Sequence, residues 1–234
     1  MLQAMPAVHL RNTYYYDLTM RRTKQDADKT RAAILEAAET LFLEQGVANT
    51  SLEQIARKAG VTRGAVYWHF KNKADLFHAM LNQVRLPAEQ IAARIRLCDP
   101  QDPVMGLRNL CCEVMVNLVR DARKRRIFTI LMRRCEFTDE LREAEQRHQD
   151  FINQFIDLCT ELFTEPAVAK RLQTGLTPRL AAVALHSLLI GLLNDWLRDP
   201  ELLDAENTQP YLDCLLRGIF QQWPAAAGNH PPQP

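Results

Sequence analysis

The stretch from Thr50 to Lys73, TSLEQIARKAGVTRGAVYWHFKNK, limits what this chain can fold into more than any other. Leu52, Ile55, Ala56 and Ala59 recur at helical spacing, which predicts a short amphipathic helix. Thr50, with Glu53 three residues on, carries the pattern of a capping box at its start. Gly60 supplies a turn, and Thr62 stands where the N-cap of a second helix belongs, running to about Phe70. Val61, Val66 and Phe70 point into one small core, which leaves Arg63, Gly64, Tyr67, Trp68 and His69 on the opposite face. Two such helices form a helix-turn-helix, whose second helix lies in the major groove of DNA.

The local charge agrees. Five basic residues (Arg57, Lys58, Arg63, Lys71 and Lys73) and no acidic ones lie between Arg57 and Lys73, the surplus that phosphate neutralisation requires. The whole chain of 234 residues has a formal net charge of only +1, so it is no general polycation and nucleic-acid binding has to come from this patch. Thr62 and Gly64 are small enough for close backbone approach, and Tyr67 and Trp68 join a polar tip to an apolar body.

The run GVTRGAVYWHFKNKADLF closely resembles the DNA-binding motif of the TetR family of bacterial repressors, within a match from about Arg31 to Leu81. The resemblance implies that Thr62, Arg63, Gly64, Tyr67, Trp68 and His69 lie at the groove, with Lys71 beside them. It also implies that Lys73, opening the next helix, contacts phosphate with help from the helix dipole.

Along the chain, residues 1–19 match nothing that follows and are expected to be a disordered extension, without the basic and apolar regions of a signal peptide. Residues 20–71 read as the DNA-binding domain, with Arg21, Arg22 and Lys24 as a basic arm. A first helix from about Asp26 to Gln45 carries Ile34, Ala38, Leu41 and Phe42 inward and is stopped by Gly46. Residues 72–223 read as a ligand-binding and dimerisation domain, and 224–234 as a disordered tail. Asn72 caps a helix that Pro87 kinks or ends, and whose pattern resumes to about Leu97. Further helices are predicted over about Val104–Asp121, Arg123–Phe137, Thr138–Glu165, Thr177 to before Asp199, and Pro210–Trp223. The fold class is therefore all-α, a three-helix head on a helical bundle.

The basic run Arg123–Arg126 precedes Ile127, Ile130 and Leu131, so it is expected on a helix's wet face or near acids elsewhere. The segment DARKRRIFTILMRRCEFTDEL resembles the same region of the family's AcrR/TtgR branch of efflux-pump repressors. That implies a pocket for small apolar or aromatic inducers. Its candidate lining is His78, Met105, Cys111, Met115, Phe128, Met132, Phe155, Cys159, His186, Ile190 and Asn194, with Met and aromatic side chains suited to repacking around different ligands. Ile190 stands where the TtgR-like pattern has an acidic residue, which argues against cationic ligands. The last two long helices are apolar around much of their circumference and imply a partner surface. The family forms its dimer there, which places Leu188, Leu192, Trp196, Leu212, Leu216, Ile219 and Phe220 at a homodimer interface reading a palindromic operator.

Six cysteines show no CxxC pair, the six His have no metal spacing, and no enzyme motif is present, so no cofactor, metal site or catalysis is expected. The thiols are expected to be reduced in the cytoplasm. No apolar run reaches the ~18 residues of a membrane span, so no membrane partner is expected. The reading is a repressor released from its operator by a small molecule and serving a multidrug efflux operon. The alternatives are a related regulator of metabolism or stress, or a helical ligand-binding protein without DNA binding.

Overall fold

The computed structural model describes the backbone of residues 8–204 and 207–223 and the side chains of 24–204 and 207–223. Among these residues the regular structure is entirely helical, apart from one isolated antiparallel bridge between Leu172 and Phe220. The helices are α1 (Val8–Gln45), α2 (Leu52–Lys58), α3 (Arg63–His69) and α4 (Lys73–Leu81). There follow α5 (Ala88–Cys98), α6 (Pro103–Arg120), α7 (Ala122–Arg133), α8 (Arg142–Thr164), α9 (Pro166–Ala169), α10 (Pro178–Arg198) and α11 (Gln209–Ile219). A single 3-10 turn, Asp139–Leu141, leads into α8.

α1 starts well before the expected Asp26. Of the predicted loose extension, residues 1–7 lie outside the described residues, while 8–19 carry helical backbone, as do Arg21, Arg22 and Lys24 of the predicted arm. The predicted tail, 224–234, also lies outside the described residues. Gly46 ends α1 at φ +87° and Gly60 makes the α2–α3 turn at φ +68°, both in the left-handed region that Gly enters without steric cost.

The cap of α2 is one residue later than predicted. Ser51 Oγ accepts the Gln54 N–H at 3.2 Å, and Gln54 Oε1 accepts the Ser51 N–H at 2.7 Å, closing a capping box. Thr50 is buried instead, and its hydroxyl donates to the Gly46 carbonyl at 2.7 Å, which settles the end of α1. Thr62 and Asn72 cap α3 and α4 as expected, and Thr177 caps α10.

Head and bundle are not separate bodies. One core gathers Ile34 and Phe42 of α1, Ile55, Val66 and Phe70 around the turn, Phe77 of α4, and Ile127 and Ile130 of α7. A second core joins α5, α6, α8, α10 and α11, and a third sits between the ends of α6 and α10. α5 and α6 cross so closely at Gly106 that a Cβ there would lie 2.2 Å from the Ile95 carbonyl oxygen.

Two polar fasteners tie head to bundle. Glu39 of α1 is wholly buried, and both its oxygens accept from α7: Oε1 from Arg123 (2.6 and 2.9 Å), Oε2 from Arg126 (2.9 and 3.2 Å). The basic run thus faces an acid elsewhere, one of the two expected outcomes. The second fastener is Lys73, discussed below.

Pro87 opens α5, and residues 82–87 break what would have been one long helix into α4 and α5. α7 stops at Arg133, short of the predicted Phe137. α11 stops at Ile219, where Phe220 turns away to its bridge with Leu172.

α10 bears on two expectations. It is 21 residues long with a mean hydropathy of 1.6 in its most apolar window, so by length and composition it is able to cross a membrane. Here Ala181, Ala182, Leu185, Leu192, Leu193 and Trp196 pack into the protein's own cores. The predicted interface residues Leu192, Trp196, Leu212, Leu216, Ile219 and Phe220 are likewise buried within one chain, and Leu188 is half-buried. The uncovered stripe lies beside them: Leu180, Val183, Ser187 and Ile190 on α10, with Cys214 and Gly218 on α11.

Candidate DNA-binding surface and ligand cavity

α3 is held by its inner edge. Val66 and Phe70 are buried in the head core, and the Arg31 guanidinium lies 5.2 Å over the Phe70 ring. Thr62 Oγ1 accepts the Ala65 N–H at 3.1 Å, which fixes the helix start. Thr62, Arg63, Gly64, Tyr67, Trp68 and Lys71 are exposed, and Trp68 is 73% exposed, unusually high for an indole. His69 is half-buried, and burial followed by the nearby Arg31 charge holds its imidazole below the ordinary range. Arg63 stacks at 5.4 Å over the Tyr67 ring and donates to its hydroxyl at 3.3 Å, a contact that presents both side chains together.

Gly64 is informative because nothing in the chain requires it. A Cβ there would meet only Thr62 Oγ1, at 3.8 Å. A Gly inside a helix costs about 1 kcal/mol relative to Ala, so its use on an open face points to an external surface that comes close.

Lys73 is placed differently from the expectation. Its side chain is 4% exposed, and Nζ donates to the carbonyls of Ala48 (3.2 Å) and Thr50 (3.0 Å) while pairing with Glu140 at 2.7 Å. The ammonium is thus satisfied inside the protein and clamps the loop before α2 to the turn before α8. A solvent-facing phosphate contact by this side chain does not fit that geometry.

The predicted pocket residues are divided among three cores. Cys111, Phe155 and Cys159 belong to the second core, where the His186 ring lies 6.2 Å from Phe155. Met115 is in the third core, Phe128 bridges the first and third, and Met132 packs on the first. Met105 is half-buried, Ile190 is 37% exposed, and the Asn194 carbonyl accepts from Arg133 at 2.9 Å. Burial pushes the thiols up, Cys159 and Cys135 to about 12, so these sulfurs stay protonated and inert.

Of those eleven residues, His78 alone lines the cavity of about 600 Å³ that opens between the α4–α5 loop and α8. Its floor and walls include Arg85, Leu86, Pro87, Arg147 and Phe151, none of them selected from the sequence. Arg85 lies 4.6 Å over the Phe151 ring, and one Nη donates to His148 Nδ1. Burial lowers the guanidinium to about 10, while burial and then the Arg85 charge push the His148 imidazole down to about 4. The signal available in the sequence was a lone Arg two residues before Pro87, too common to single out.

Comparison with known proteins bears on both regions. Residues 34–80 match "Bacterial regulatory proteins, tetR family", and residues 102–221 match "MAATS-type transcriptional repressor, C-terminal region". The chain is 41% identical over 185 residues to the HTH-type transcriptional regulator TtgR of Pseudomonas putida, spanning 79% of this chain and 88% of TtgR. It superposes with TM-score 0.81 on crystalline NalD, the secondary repressor of the MexAB-OprM multidrug efflux pump in Pseudomonas aeruginosa. That match has 56% identity and covers 85% of this chain and all of NalD. The triclosan complex of SmeT, a pump repressor of Stenotrophomonas maltophilia, superposes with TM-score 0.70 at 31% identity over 87% of this chain and 99% of SmeT. This chain therefore belongs to the TetR family of bacterial transcriptional regulators, with a MAATS-type C-terminal region, and is not an enzyme.

Proposed function

We propose that the chain is a dimeric repressor of a multidrug efflux-pump operon, released from a palindromic operator by a small molecule. The observation that carries this is the outer face of α3: an exposed Arg63–Tyr67 pair, a bare Trp68 and an unforced Gly64, on a helix rigidly held from behind. Pump repressors among its relatives supply the regulated process. Arg63 and Thr62 are set to reach base edges, Tyr67, Trp68 and Lys71 to reach phosphates. The α10–α11 stripe around Val183, Ile190 and Gly218 is the self-complementary face that pairs two chains, so that two α3 helices reach major grooves ~34–36 Å apart.

The test is fluorescence anisotropy with duplex DNA from upstream of the chain's own gene and of any adjacent pump operon. Saturable binding there, at least ~10³-fold tighter than to scrambled duplex, is expected. Equal affinity for the scrambled duplex removes the repressor reading.

A further inference from the structure

We propose that the cavity between the α4–α5 loop and α8 binds a small aromatic acid, its carboxylate held by Arg85 and His78 and its ring laid on Leu86, Pro87 and Phe151. This deepens the regulator reading above and rests on it for the consequence, though not for the binding itself.

The argument starts from two donors without acceptors. Arg85 Nη1 and His78 Nδ1 are both buried from solvent and have no hydrogen-bond partner, and both residues line the same cavity. His78 Nε2 faces the Asn82 amide nitrogen at 2.9 Å and so accepts from it, which leaves the ring proton of the neutral imidazole on Nδ1. Burial, followed by the charges of Arg147 and Arg85, lowers the His78 imidazole below its ordinary range and so favours the neutral form. Each donor left unmet in such a place costs about 1–3 kcal/mol, so an acceptor that reaches them after a small movement of the two side chains relieves both.

Charge then selects the kind of acceptor. Among the described residues no carboxylate pairs with Arg85, whose other contacts are a neutral imidazole and the Phe151 ring. Arg147, the other cation of the cavity, lies 3.6 Å from Asp75 and 3.8 Å from Glu143. Asp150, the one carboxylate lining the cavity, is exposed and already accepts from Gln146 at 3.0 Å. Arg85 thus brings to the cavity a guanidinium with no carboxylate partner and one unmet Nη, donor chemistry suited to a carboxylate. The apolar wall and a volume of about 600 Å³ suit a ligand of drug size rather than an inorganic ion.

Two probes of one shape and different charge decide the matter: 2-naphthoate and 2-naphthamide, titrated calorimetrically into the full chain. The acid is expected to bind about tenfold tighter or more. In Arg85→Met the ratio falls to about one; Arg85→Gln, which keeps a donor without the charge, does the same and serves if the Met variant unfolds. Equal binding of acid and amide by the unaltered chain overturns the proposal. So does an acid preference that survives both substitutions, or no naphthoate binding tighter than about 1 mM. Operator anisotropy separates this from the regulator reading. Arg85-dependent naphthoate binding that leaves operator affinity unchanged keeps the site and takes it out of induction. Operator release by neutral compounds, with no acid preference in the cavity, overturns this proposal and leaves the repressor standing.

Discussion

The Glu39 fastener allows a prediction whose sign depends on which partner is removed. Glu39 is fully buried, whereas the side chains of Arg123 and Arg126 are 47% and 35% exposed. Stripping both arginines with Arg123→Met and Arg126→Met leaves a bare carboxylate in the core, for a loss of about 3–5 kcal/mol. Either substitution alone leaves one guanidinium able to bridge both oxygens, so each should cost about 1–2 kcal/mol and the pair more than their sum. Glu39→Met instead removes the buried charge and lets two half-exposed guanidinium groups rehydrate, at a loss of less than about 1.5 kcal/mol. Urea unfolding of the five proteins at one fixed protein concentration gives the comparison from the midpoints, provided the slopes agree. A Glu39→Met loss equal to that of the double arginine variant would refute the reasoning, because burial of the carboxylate would then not be what sets the energy.

Four shorter expectations follow. Arg63→Ala should relax operator preference by about 1–3 kcal/mol in a competition assay, while binding to random duplex changes little. Lys73→Met should lower the urea midpoint by about 2–3 kcal/mol equivalents and leave the salt slope of DNA binding unchanged, since its ammonium holds Ala48, Thr50 and Glu140. Ile190→Asp should yield folded monomers in sedimentation experiments, whereas Leu212→Asp should give unfolded protein, because Leu212 is in the chain's own core. His148, pushed down to about 4 by burial and then by Arg85 and His186, resists protonation in the fold. Stability should therefore fall as pH drops from the unfolded value near ~6.5 to about 4 and change no further below it. The loss is about 1–2 kcal/mol after allowance for solvent contact, and is absent in His148→Asn.

The head was legible in the sequence because its signals are local. Thr62, Gly60 and Asn72 each determine a turn or a cap through contacts within four residues, and the structure uses all three as expected. Thr50 misled because Thr50-x-x-Glu53 and Ser51-x-x-Gln54 are equally good boxes in adjacent registers. A tertiary demand, the Gly46 carbonyl, claims the first hydroxyl. Lys73 and Glu140 are 67 positions apart, so no spacing rule connects them. For α10 and α11 the breadth of the apolar stripe was readable, but a wide stripe has an inner and an outer half. Periodicity cannot say that Leu212 and Leu216 face inward while Cys214 and Gly218 face out. A pocket is hard to read from sequence for the same reason: Cys111, Met115 and Cys159 have the pattern of any wall, whether the space beyond is empty or filled. Arg85 carries its meaning only through what is missing around it.

The broken helix changes how ligand and DNA sites are to be coupled. A continuous helix from Lys73 past His78 would act as a rigid lever, but α4 is nine residues long and ends at Leu81. The segment that follows, Asn82 to Pro87, supplies the cavity's Asn82, Arg85, Leu86 and Pro87. A ligand in that cavity, as proposed above, would hold the segment between α4 and α5. α4 is meanwhile bound to the head core through Leu76, Phe77 and Met80, so any shift of its end is passed to α2 and α3 as a body. The two fasteners resist that shift, Lys73 at the start of α4 and Glu39 across α1 and α7. Weakening either should lower the work of moving the head without touching the ligand. The coupling between operator and ligand, about 1–3 kcal/mol in such systems, is reciprocal. Operator DNA must therefore weaken binding of a ligand in the cavity by the same factor by which the ligand weakens operator binding. Titrating 2-naphthoate into free and operator-bound protein measures that factor directly. In Arg126→Met the segment between α4 and α5 should release the head more easily, so operator is lost at a lower naphthoate concentration. An unchanged concentration in that variant would show that the Glu39 fastener does not lie on the route from cavity to DNA.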